Sequence, residues 1–169
     1  AGLVFDTSIF RYRMTKPRTL FAAARMMETG FDHAAVVEDV LLQQTEMKVR
    51  LKGRMLEKMV VERNLGCAWS TLTAEESAEG DTGGLVDELV FINGVMVGIL
   101  FVEKANGTVK ASIRSRGDVD VADLASRLAP RGGGHARAAG ATINGTLDAA
   151  LDDALETLRD FMTESHRPA

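Results

Sequence analysis

The chain contains a single cysteine, Cys67. One thiol can close no internal disulfide and builds no thiolate cluster for structural zinc, which fits a reducing compartment and points to the cytoplasm. No window comes near the roughly 20 consecutive apolar residues of a membrane helix, and the N-terminus lacks the basic-then-apolar layout of a signal peptide. Both absences argue against membrane insertion and secretion. A positive excess is missing as well: 20 Lys and Arg stand against 24 Asp and Glu, a net charge of −4. A protein that coats long duplexes through a broad basic surface needs the opposite balance. What is present, 169 residues with 46% apolar and 26% charged side chains, is an ordinary globular composition with room for one good core and a small extra lobe.

The charge is unevenly distributed. Residues 104–140 carry seven basic and three acidic side chains, whereas residues 64–103 carry seven acidic and no basic ones. The periodicity changes near residue 64. Before it, Ala1 to Phe5 reads as the end of a buried strand running into Asp6-Thr7-Ser8, which would place a carboxylate at a strand end. After Pro17, Leu20, Phe21, Ala24 and Met27 form a helical stripe that Gly30 can stop. Asp32 suits the N-cap of a helix through Val40 and Leu41, and a third helix follows from about Thr45, with Met47, Leu51, Met55, Met59 and Val60 at helical spacing. From Gly66 strands are expected: Cys67 to Thr73, then an acidic loop over residues 75–84, a helix over Leu85 to Ile92, and a strand over Val95 to Glu103. Asn106-Gly107 is a strong hairpin signal. The fold class expected is α/β, a helical N-terminal segment followed by a mixed β-sheet domain with flanking helices.

The strand after that turn carries chemistry. In Thr108 to Arg116, Val109, Ala111, Ile113 and Ser115 alternate with Lys110, Ser112, Arg114 and Arg116, so one face of the strand is a row of donors. Asp120 caps a further helix with Leu124 and Leu128 on its stripe. The chain then reads Pro130-Arg131-Gly132-Gly133-Gly134-His135-Ala136-Arg137. Three bare residues in succession allow several N–H groups to converge on one oxyanion, and a helix turn opening at Ala136 to Ala139 would add its positive end to that field. With His135 beside the glycines and arginines on a nearby strand, the set suits a phosphorylated ligand. A strand over Ala141 to Ile143 and a helix from about Leu147 to Met162 close the chain, leaving a loose tail that contains His166.

Ser112-Ile113-Arg114-Ser115-Arg116, followed by Arg131 and the run from Gly132 to Gly140, resembles the DHH-associated domain of the DHH phosphoesterase family, in the branch of nanoRNases and pAp phosphatases related to RecJ. Leu3 to Arg11 resembles the last motif of that family's catalytic DHH domain. The resemblance implies two parts: residues 1–64 as the end of the DHH domain with connecting helices, and residues 65–169 as the substrate-binding domain. It implies manganese as cofactor, with Asp6 as one ligand, and short RNA or a pAp-like nucleotide as substrate. Ser112, Arg114, Arg116, Gly132, Gly133, Gly134 and His135 would bind that substrate, His135 being the one catalytic candidate. No Asp-His-His triplet or clustered acidic pair occurs before residue 64, and Asp32-His33-Ala34 falls at a helix start where Asp caps. The chain is therefore expected to be a C-terminal part, inactive alone, whose apolar surface around Leu3, Phe5 and Phe10 leaves a homodimer open. The same domain type also accompanies RecJ-like single-strand exonucleases, cyclic-dinucleotide phosphodiesterases and a non-catalytic nucleic-acid-binding module of alanyl-tRNA synthetases.

Overall fold

The structure is a computed structural model that describes residues 2–7, 9–10, 15–78 and 80–165. Ser8 and Arg11 of the N-terminal motif, Glu79 of the acidic stretch and the tail with His166 lie outside the described residues. The chain forms two compact units, Ala1–Glu46 and Met47–Ala169. Among the described residues no helix is long and apolar enough to cross a membrane.

The first unit is helical: α1 (Gly2–Thr7), α2 (Pro17–Met27) and α3 (His33–Val37), which continues into a π turn over Glu38–Leu42. The strand expected at Ala1 to Phe5 is instead α1. A short apolar run has no period of its own, and this unit offers no described strand to pair with, whereas a helix closes its backbone hydrogen bonds on itself. The Thr7 hydroxyl donates to the Leu3 carbonyl at 2.7 Å, one turn back. Asp32 does cap α3, its carboxylate accepting from the Ala35 N–H at 3.0 Å. Pro17 opens α2, where its missing N–H costs nothing.

The second unit begins with α4 (Glu46–Glu57) and is built on one mixed sheet. Its strands are β1 (Val60–Glu62), β2 (Cys67–Leu72), β3 (Val97–Lys104), β4 (Thr108–Ser115), β5 (Gly133–His135) and β6 (Ala138–Asn144), in the spatial order β1-β2-β3-β4-β6-β5. Only β2 and β3 run parallel, joined by α5 (Ala74–Ala78) and α6 (Asp87–Val90). The acidic stretch thus contains a helix turn where a loop was expected, and the helix expected over Leu85 to Ile92 shrinks to its middle. The helical stripe read through Val60 is also cut short: Val60 and Val61 turn back as β1, pairing with Trp69 and Ala68. Two adjacent β-branched residues favour that choice.

The sheet has two faces with different fates. On one, Val97, Ile99 and Phe101 of β3 and Val109, Ala111 and Ile113 of β4 pack against α7 (Val121–Leu128) and α8 (Leu147–Ser165). On the other, Ala68, Leu72, Leu100 and Val102 pack against Leu51 and Met55 of α4 and Leu89 of α6. This second apolar cover lies over β2 and β3, with α6 reaching β4 only near its end at Arg114, leaving the polar remainder of β4 and β6 open.

Two packing details give measurable expectations. Ser70 is fully buried and donates its hydroxyl to the Met55 carbonyl at 2.6 Å, tying α4 to β2. Ser70→Ala strands that carbonyl and is expected to cost about 1–2 kcal/mol, read as a lowered denaturant midpoint at unchanged slope. Burial first, and the nearby Glu62 carboxylate second, push the Cys67 thiol up to about 11. The thiolate is the alkylating species, so at pH 8 the folded chain should react with iodoacetamide far more slowly than the chain in denaturant.

Candidate functional site

The open half of the sheet is a groove of about 330 Å³, floored by Ala138, Ala139 and Gly140 and walled by the Thr82–Gly84 loop on one side and Gly133 on the other. Lys110, Ser112 and Arg114 line it from β4. Strand register explains why they meet. Ser112 pairs with Gly140, which pairs with Gly133; Arg114 pairs with Ala138, which pairs with His135. Paired residues share a face, so Ser112 and Gly133 stand in one cross-strand row and Arg114 and His135 in the next, the outer strands of each row about 10 Å apart. Small residues on β6 keep the space between them empty.

Arg114 is not a free cation. Its Nε donates to Asp87 Oδ1 at 2.8 Å and its Nη1 to the Ile113 carbonyl at 3.1 Å. Asp87 reaches it because of Gly98, the β3 partner of Arg114. A Cβ on Gly98 would stand 2.9 Å from Leu89 Cβ and 3.0 Å from Val90 Cγ1, so α6 rests directly on bare backbone there. Gly98→Ala should lift α6, lower stability by about 1–3 kcal/mol and slacken the Asp87 contact; urea denaturation of the two proteins checks it. Arg116 holds the other end of α6, donating from Nη1 to the Val90 carbonyl at 3.2 Å, and does not line the groove.

The three glycines separate into different tasks. The expected nest with a helix turn after it is replaced by the β5–β6 hairpin, whose extended backbone turns successive N–H groups to alternate sides. Gly132 packs on the end of α7: a Cβ there would lie 1.7 Å from the Ala125 carbonyl oxygen. Gly134 has φ +149° and a Cβ there would lie 2.6 Å from Ala139 Cα. Gly133 alone faces open space and the groove. His135 is exposed at the sheet edge, in the Arg114 row. Of the residues singled out by sequence, the structure therefore brings Ser112, Arg114 and Gly133 into one groove, with His135 on the same face, and puts Arg116, Gly132 and Gly134 in its scaffold. Sequence reasoning left out Lys110 as a site residue, although the alternation placed it on the right face. It also left out Asp87 and the Thr82–Gly84 loop, for which the Asp81-Thr82-Gly83-Gly84 turn was the available signal; the Gly83 N–H donates to Asp81 Oδ1 at 2.8 Å.

Asp6 is an exposed residue of α1, in the first unit. Among the described residues no three His, Cys, Asp or Glu side chains come together as a metal cluster. A divalent ion in a catalytic site needs several oxygen or nitrogen donors, so the residues present do not make one.

A model of the DHHA1 domain matches residues 66–164. The chain belongs to the DHH family. Its DHHA1 domain spans the whole sheet from β2 onward and both walls of the groove. The chain is 33% identical over 165 residues to the bifunctional oligoribonuclease and PAP phosphatase NrnA of Thermus thermophilus, covering 97% of this chain and 50% of that protein. It is 29% identical over 163 residues to the cyclic-di-AMP phosphodiesterase GdpP of Geobacillus thermodenitrificans, covering 95% of this chain and 23% of that one. In three dimensions it matches the crystal structure of an exopolyphosphatase-related protein from Bacteroides fragilis with a TM-score of 0.89 and 26% identity, over 98% of this chain and 49% of the other. The chain thus spans half or less of the length of these relatives.

Proposed function

We propose that this chain is the substrate-binding part of a cytoplasmic, metal-dependent phosphoesterase that hydrolyses short oligoribonucleotides, pAp, or both. The observation that carries the reading is the groove itself, where Lys110, Ser112 and Arg114 stand side by side over a floor too small to fill it. A guanidinium fork, an ammonium and a hydroxyl are the donors a phosphate linkage takes, and a groove of about 330 Å³ suits a short ligand. His135, in the Arg114 row on the same face, orients the terminal nucleotide. On this reading residues 1–64 close the catalytic DHH domain and residues 65–169 are the clamp. Manganese is the ion, bound by residues outside this chain with Asp6 as one contributed ligand. The similarity to the NrnA proteins supports the substrate class.

NMR titration of the chain with pAp and with a diribonucleotide tests the binding part. Shifts should cluster on Lys110, Ser112, Arg114, Gly133 and His135; shifts scattered elsewhere, or none, overturn it. The chain alone should show no manganese-dependent hydrolysis, and robust turnover after careful purification overturns the division of labour. The similarity to GdpP favours a second reading, a cyclic-dinucleotide phosphodiesterase; competition between cyclic di-AMP and the diribonucleotide for the groove separates the two. Phe5 is 64% exposed, which supports self-association through α1 into a homodimer, checked by sedimentation.

A further inference from the structure

The groove is lined by two cations, and their surroundings leave it with less charge than the sequence suggests. Arg114 is bound by Asp87 at 2.8 Å. Asp81, next to the Thr82–Gly84 wall, is bound by Lys48 at 2.8 Å, and these two cancel in the same way. Lys110 forms no salt bridge among the described residues, although its charge is felt by the Asp81 carboxylate, and the other lining residues are neutral. The groove therefore carries a net charge near +1 while still offering a guanidinium edge, an ammonium and a hydroxyl as donors.

We infer that Asp87 is a specificity-determining residue, which reduces the groove's electrostatic advantage for a dianionic terminal phosphate over the monoanionic phosphodiester link of an oligonucleotide. The inference rests on the proposed nucleotide groove and narrows its substrate class. A carboxylate beside the phosphate-binding guanidinium repels bound phosphate in proportion to the ligand's charge, so a monoester dianion feels about twice the penalty of a diester. The donors remain in place for both ligands, so recognition of the ribose or base does not enter the difference. Asp87 touches Arg114 and lies outside the groove lining, so it acts through that contact and through its field.

Asp87→Asn tests this, because the amide oxygen can still accept from Arg114 Nε while the charge is gone. The chain is titrated at pH 7.5 and low salt with the diribonucleotide ApA, a monoanion, and with 5′-AMP, a dianion, each followed by NMR or calorimetry. Neutralising the carboxylate is expected to tighten ApA by about three-fold and AMP by about ten-fold, so the affinity ratio of ApA to AMP falls about three-fold. Asp87→Ala should show the same change in preference even if weaker positioning of Arg114 lowers both affinities, and Asp87→Glu should restore the wild-type preference. Equal effects on the two ligands would mean that Asp87 only holds Arg114 in place, and would overturn the inference with the groove left standing. If the wild-type chain binds neither ligand in the groove, the groove reading itself fails and takes the inference with it, so the two failures are distinct.

Discussion

Replacing Arg114 by Ala is expected to weaken binding of a short oligoribonucleotide by about 10- to 100-fold, the worth of one or two charge-assisted hydrogen bonds to phosphate in a partly desolvated site. Stability should change little. The Arg114–Asp87 pair is about a third exposed on each side, and solvent screening holds such pairs to roughly 0–1 kcal/mol. Arg114→Lys keeps the charge but loses the planar fork that binds Asp87 with one edge and faces the groove with another, so it should recover only part of the affinity. Arg116→Ala is the informative contrast. Its side chain serves the Val90 carbonyl at the end of α6, so its loss should lower stability by about 1 kcal/mol and affect ligand binding less than the loss of Arg114. NMR titration and urea denaturation of the three variants decide the matter. Wild-type affinity in Arg114→Ala would remove the groove from the list of phosphate sites, and equal binding losses at both arginines would mean that both act through α6.

The contrast between those arginines also marks the limit of what the sequence reveals. Alternation along Thr108 to Ser115 is legible because one face is packed and the other polar, and it correctly puts Lys110, Ser112 and Arg114 on one side, with Arg116 just past the strand reaching α6 on that side. The Asn106-Gly107 turn, the Asp120 cap, which accepts from the Ala122 N–H at 2.9 Å, and the apolar stripe of α8 are legible for the same reason: each is decided by neighbours in the chain. Whether an arginine on that face meets a ligand or a helix end is decided by α6, which comes from a distant part of the sequence and lands where Gly98 has no side chain. Local pattern carries no trace of that landing. The N-terminal run failed for a related reason. Leu3, Val4 and Phe5 suit a buried strand or a short helix equally, and what chooses is the presence of a partner strand.

Gly132→Ala is expected to be the most destabilising single change in the groove region, by about 3 kcal/mol or more. The added Cβ would lie 1.7 Å from the Ala125 carbonyl oxygen and 3.0 Å from that of Ala129, both backbone atoms that cannot rotate aside. Relief requires moving the end of α7 or the β5–β6 hairpin, and the Gly132 N–H that donates to the Ala129 carbonyl at 2.8 Å would move with it. In a domain of this size such a loss lowers the melting temperature by about 6–12 °C. Gly134→Ala should behave similarly, since its positive φ disfavours any side chain and its Cβ would strike Ala138 and Ala139 backbone. Gly133→Ala should not. Nothing lies within 4 Å of its Cβ position, so the fold is expected to hold within about 0.5 kcal/mol while a methyl enters the groove and reduces ligand affinity. Thermal unfolding paired with NMR titration across the three variants separates the outcomes. A glycine run used mainly as a flexible anion nest would tolerate Ala at Gly132 in stability and lose binding at all three positions. A run used as scaffold around one exposed position loses stability at the flanks and affinity at the centre, because only the central residue has space where a ligand could be.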